Sequence, residues 1–488
     1  MSNQILMMDN RQLVPRWHTS RKIFKHNYPQ QFIAINNGQF QEDHWFKKSV
    51  EKWQNDPTIL NALDVFVRLV QDDNRAHYLY GSIHEQLLQK YDDLPVSIKD
   101  LVLPKLKYLD NLDGYETDTK RIRLIINKLK NIVVKYPRDS MSWMDLGFYY
   151  SIIGEDEKAY RCVDIAKNID PNHSFIARSY SRFLVHIGEP EKAVWFLSKR
   201  PNLNTNPLML SAYTSISSAF DLGKSRIKKA ISLVHDWKGD KFKISELAAC
   251  IGTIEFGNGS VSKSKKHFKL ALASPSENVI AHLQWLRHKH HLNIPNVPNS
   301  IESIEGEFNE LYTSNKFKEC RDKLMEMYTF QPYSSGPIAD AGYLSIAALN
   351  DPEFVIDVSD KRIPYYHMDF YELNNLIVAK LLVKDLSGID TQMKILSRRV
   401  NSDNLSMFAT MKATLGMALM VRGAIKDGMK LYEETIELLK VRGMNRTLCI
   451  AKFFYSNQLI EINPEKSLQL KKESNELAKK YGVLEFIN

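Results

Sequence analysis

"SWMDLGFYYSIIGEDEKAYRCVDIAKNIDP", residues 142–171, reads as two short helices joined by a tight turn. Trp143, Leu146, Gly147 and Tyr150 fall on one face of the first helix. Ala159, Val163 and Ala166 fall on one face of the second, at the i, i+3, i+4, i+7 spacing of an amphipathic helix. Gly154 interrupts the pattern between them, and Pro171, which lacks a backbone N–H, cannot continue the second helix. Small residues at Gly147 and Ala159 allow the two backbones to approach closely while larger side chains fill the space around them. The stretch predicts an αα-hairpin.

These residues resemble the 34-residue tetratricopeptide repeat (TPR) pattern nearly position for position. One period further on, Tyr180, Ser181, Gly188, Ala193 and Leu197 take equivalent places. One period earlier, Pro137 closes a unit whose second helix is "DTKRIRLIINKLKNIVVKYP". The register recurs at Ile251, Gly252, Gly259, Phe268 and Ala271, at Leu311, Cys320, Leu324, Met327 and Pro332, and at Leu415, Gly416, Gly423, Gly428 and Tyr432. The resemblance covers roughly residues 106–200, 245–275 and 300–440, and the degenerate stretches 205–240 and 343–400 are expected to form helical pairs as well. It implies an all-α chain, an α-solenoid of TPR-like hairpins in which each hairpin buries its face against its neighbours.

At 488 residues the chain exceeds what one core usually holds, and Gly and Pro are scarce beside Lys, Leu, Glu and Ala. Composition divides it into a basic N-terminal arm at 1–42, a helical region without clean register at 43–105, a first lobe at 106–291, a linker "LNIPNVPNS" at 292–300 and a second lobe at 301–488. The last helix, with Leu468, Leu470, Leu477 and Tyr481 among charged residues, suits a terminal cap. Four cysteines lie tens of residues apart without CxxC spacing, so neither a zinc site nor a disulfide framework is indicated, and a reducing cytoplasm is expected. No stretch approaches the length of a membrane helix, and the opening residues lack the apolar run of a secretory signal.

No catalytic motif stands out, so no enzyme activity, cofactor or metal is expected. "EFGNGSVSKSKK" lacks phosphate-loop spacing and falls at a turn between helices. His282, His288, His290 and His291 cluster, with His288 and His291 expected on one helix face, yet no acid or cysteine completes a metal shell. The acids and histidine of "HMDFYE", 367–372, read as ordinary helical residues.

What a TPR stack offers is a groove. The resemblance puts Met144 and Phe148 at groove positions of one unit and Arg178 and Arg182 in the next. In the second lobe it puts Glu305, Tyr312, Tyr343 and Met417 there. Chaperone-type TPR domains grip a C-terminal carboxylate with Lys and Asn where the first of these units has Met144 and Phe148, so that clamp is missing from this unit. A groove rich in Met and aromatics suits a protein or peptide ligand. The net charge of +9, and Lys263, Lys265, Lys266 and Lys269 outside the groove, leave an alternative: an RNA-binding or RNA-processing adaptor using the basic arm and outer face.

The arm stretch "NRQLVPRWHTSRKIFKHNYPQQF", residues 10–32, contains no acid and interleaves Arg16, Arg21 and other bases with Trp17, Phe24, Tyr28 and Phe32. Docking on protein, in its own groove or a partner's, is the expected role, with Arg16, Trp17 and Arg21 as anchors; nucleic-acid contact and functionless disorder are the alternatives. "NRQLVPRW" also resembles the opening of bacterial TPR proteins encoded beside PIN-domain ribonucleases, through Asn10, Arg11, Pro15, Arg16 and Trp17. That likeness implies the regulatory partner of a nuclease effector in toxin control or phage defence.

Overall fold

The computed structural model describes residues 13–20, 44–71, 78–94, 99, 102, 115–223, 226–294, 297, 304–401 and 404–487. Every regular element among them is a helix. The chain divides into two compact units, Gln12–Ser303 and one that takes in Ile304–Asn488. The division falls just past the Pro-containing stretch at 292–300. The 43–105 region and the described arm residues belong to the first unit.

The first unit begins with α1 (His44–Asn55), α2 (Ile59–Gln71) and α3 (Tyr80–Gln89). It continues through α4 (Thr119–Lys135), α5 (Ser140–Ile152), α6 (Asp156–Ile169), α7 (Ser174–His186), α8 (Pro190–Ser198) and α9 (Pro207–Ala219). It closes with α10 (Ile227–Asp236), α11 (Lys241–Gly257), α12 (Val261–Ala271) and α13 (Glu277–His290). Side-chain caps start several of these helices. Asp139 accepts from the backbone N–H groups of Met141 and Ser142, both at 3.1 Å, and Asn206 does the same for Leu208 and Met209.

The α5–α6 hairpin shows why residues 142–171 fold as they do. Gly154 turns the chain at φ 70°, and Gly188, 34 residues on, repeats the turn at φ 81°. A Cβ at position 147 would lie 2.5 Å from Val163 Cγ1 and 3.3 Å from the Ala159 carbonyl oxygen, so only glycine fits between α5 and α6. Gly252 stands in the same relation to Phe268 across α11 and α12, at 2.6 Å. Most helices pack on a sequence neighbour, and α5, α7, α9, α11 and α13 also touch one another in succession, forming a continuous row. The 205–240 stretch supplies α9 and α10 to this arrangement.

The second unit comprises α14 (Ile304–Thr313), α15 (Phe317–Phe330), α16 (Gly336–Ala347), α17 (Pro352–Lys361) and α18 (Phe370–Leu382). After these come α19 (Ile389–Arg399), α20 (Leu405–Val421), α21 (Ile425–Val441), α22 (Asn445–Gln458) and α23 (Pro464–Tyr481), then a 3₁₀ turn at Leu484–Phe486. Here α16, α18, α20 and α22 form the row. The 343–400 stretch holds the last five residues of α16 and all of α17 to α19. Helix α23 buries Ser467, Leu470, Ser474 and Ala478, while Leu468 is 72% exposed. No helix among the described residues is long and apolar enough to cross a membrane.

Candidate partner-binding site

Residues 13–20 lie along the first row. The Val14 carbonyl accepts from Asn278 Nδ2 of α13 at 3.2 Å, and Ser20 is held at the other end by Asp145 of α5. Both oxygens of that carboxylate are used: Ser20 N–H donates to Oδ1 and Ser20 Oγ–H to Oδ2, each at 2.7 Å and each buried. Thr19 N–H donates to the Tyr115 hydroxyl at 3.0 Å. Between these anchors the Trp17 indole is completely buried, with its ring centroid 5.3 Å from Phe148 of α5 and 5.5 Å from Phe183 of α7, both in edge-on geometry.

The first-unit groove residues are therefore engaged within the chain. Met144 and Phe148 are fully buried. Arg178 of α7 donates to Glu246 of α11, whose other carboxylate oxygen accepts from Ser276 Oγ at 3.2 Å. Arg182 and Arg16 are half-buried. Arg21 lies outside the described residues.

In the second unit, Tyr312 and Tyr343 converge on one carboxylate. Their hydroxyls donate to the two oxygens of Glu485, each at 2.5 Å, which pins the C-terminal turn to α14 and α16. Burial, and then that carboxylate, pushes the Tyr343 phenol well above its usual range, so it stays a donor. Glu305 is buried on α14 rather than open as an acidic contact. Of the second-lobe groove residues, Tyr343 and Met417 do meet, as part of a pocket of about 130 Å³.

Five helices build that pocket, α21 through Tyr432 and Leu439. Tyr343 and Ile346 come from α16, Tyr371, Asn374, Asn375 and Val378 from α18, Thr410, Thr414 and Met417 from α20, and Thr447, Ile450 and Phe454 from α22. No lining residue carries a charge. Thr414 Oγ–H donates to Asn374 Oδ1 at 2.7 Å, and Asn375 Nδ2 donates to the Ala339 carbonyl at 2.8 Å, so both amides are fixed in orientation. Among the described residues, this leaves Asn374 Nδ2 as an unused donor and Asn375 Oδ1 as an unused acceptor. Sequence reasoning passed over these asparagines. Their signal is two adjacent amides inside the apolar helix "FYELNNLIVAK", where Asn is a poor helix former.

Other singled-out residues have structural work. In 367–372, Asp369 caps α18 through the Glu372 N–H at 2.8 Å, while the Glu372 side chain pairs with Arg362 in the interior. His282 is buried with Nε2 2.9 Å from Thr253 Oγ1. His291 corrects the expected shared face with His288: α13 ends at His290, and His291 follows in a left-handed conformation at φ 50°. Lys263, Lys265, Lys266 and Lys269 are exposed along α12. The cysteines are free and buried. No family model matches the chain, and no curated protein matches it either.

Proposed function

We propose that the chain is a non-enzymatic, TPR-like scaffold that holds a protein partner as an extended, uncharged segment against α16, α18, α20 and α22. The observation that carries this reading is the second-unit pocket, with its charge-free lining and its fixed, unused amide donor and acceptor on Asn374 and Asn375. A peptide group presents one N–H and one C=O, the complement of that pair. Burying those groups costs free energy unless both find partners, so the asparagines favour main chain over a purely apolar ligand. The lack of a lining cation disfavours a terminal carboxylate. In the first unit the comparable row is already covered by residues 13–20.

The partner class we put forward is a nuclease effector in toxin control or phage defence, resting on the resemblance of residues 10–17. The test is selection of peptides displayed on phage against the full chain. Internal segments with an apolar anchor are expected, binding at least about tenfold more weakly to Asn374→Ala, as for a lost hydrogen bond to a buried group. Selected peptides that need a free C-terminus, or that bind Asn374→Ala equally, overturn the reading. Purified chain alone is expected to hydrolyse neither RNA, nucleotides nor peptides.

A further inference from the structure

The positive charge of this chain is concentrated. Between residues 221 and 290 stand 13 Lys and Arg against 6 Asp and Glu. Several of those acids are already committed: Glu246 to Arg178 and Ser276, Asp240 to capping α11, and Asp236 to Ser232 and His235. Helix α12, "VSKSKKHFKLA", has four lysines and no acid. It buries Ser264, Phe268 and Ala271 and leaves Lys263, Lys265, Lys266 and Lys269 exposed. On α10, Lys228 and Lys229 are exposed too. None of these six lysines makes an ion pair among the described residues.

Solubility alone does not call for this arrangement. Helix α6 mixes Asp156, Glu157 and Asp164 with Lys158, Arg161 and Lys167, and α21 mixes Asp427, Glu433, Glu434 and Glu437 with Lys426, Lys430 and Lys440. On α12 the spacings 263/266, 265/269 and 266/269 place like charges at i, i+3 and i, i+4, where they repel. A ligand of dense negative charge removes that repulsion. The lysines span about 9 Å of helix axis, a length of nucleic-acid duplex that carries about five phosphate charges. Helix α12 presents no Tyr or Trp, and its one Phe is buried, so it offers no platform for unstacked bases.

We propose that α12 is a docking surface for the phosphate backbone of duplex nucleic acid, bound through Lys263, Lys265, Lys266 and Lys269 without base readout. It is separate in residues and chemistry from the second-unit pocket, and it stands whether or not that pocket takes a peptide. The experiment is fluorescence anisotropy of the full chain with a labelled 20-base-pair DNA duplex, an RNA duplex of the same sequence and a 20-nucleotide single strand, from about 50 to 200 mM KCl.

Binding to duplex that weakens steeply with salt is expected, with the single strand weaker. Replacing the α12 lysines together by glutamine (K263Q, K265Q, K266Q, K269Q) should lower duplex affinity more than tenfold. It should also flatten the logarithmic salt slope by about 3 to 4, close to 0.9 per lost phosphate contact. The matching set of Lys→Arg changes should keep both. All four side chains are exposed, so circular dichroism of the variants should match the parent. Absent duplex binding at low salt, an unchanged slope in the glutamine variant, or binding to phosphatidylglycerol vesicles but not to duplex overturns the proposal.

Discussion

Trp17 stands edge-on to Phe148, ring planes at 90° and centroids 5.3 Å apart, across 131 positions of sequence. This contact makes the arm an integral part of the first unit. Trp17→Ala should destabilise that unit by about 3 to 5 kcal/mol, the range for emptying a large aromatic site. Lys228→Ala, at an exposed position, should stay within about 0.5 kcal/mol. Urea unfolding followed by circular dichroism measures both, and an unchanged first-unit transition in the Trp17 variant contradicts the docking.

The close approach of α5 and α6 predicts a contrast between two glycines. Gly147→Ala drives a methyl group into Val163 and should cost about 1 to 3 kcal/mol through overpacking. Gly257→Ala, at the end of α11, meets nothing within 4 Å and should be neutral or stabilise by up to about 1 kcal/mol. Paired thermal melts decide whether packing, not glycine content, sets the requirement.

Burial pushes the thiols of Cys162, Cys250 and Cys320 from 9.0 up to about 12, and that of Cys449 to about 11. At pH 8 only roughly one in a thousand or fewer is thiolate, the reactive form. Iodoacetamide should therefore leave all four unlabelled in the native chain and label them after denaturation, as read by mass spectrometry. The same shifts set a sign for stability. The folded chain retains thiol protons between about pH 9 and 12 that the unfolded chain gives up, so stability should fall as pH rises through that window. Below it these groups contribute no slope.

Local features were legible in sequence because local forces set them. The hairpin at 142–171 follows from i, i+3, i+4 spacing, Gly154 and Pro171, and the helical pairs at 205–240 and 343–400 from similar, weaker patterns. The arm was recognisable as an acid-free aromatic segment, but its seat was not, because Trp17, Phe148 and Phe183 meet only once the row is built. Tyr343 and Met417 were placed in the groove by repeat position. Asn374 and Asn375 fall in a stretch where the repeat register is degenerate, so positional transfer could not reach them. Leu468 shows the reverse limit: an apolar residue in a helical pattern that the fold leaves exposed.

Hydrogen exchange of the full chain, alone and with a peptide selected on it, tests the central claim most directly: that a partner occupies the second-unit row while the first stays covered by residues 13–20. The account predicts new protection in α18 and α20, around Asn374 and Thr410, with exchange of residues 13–20 and α5 unchanged. Protection gained on α5 and α7, together with faster exchange across residues 13–20, would contradict it.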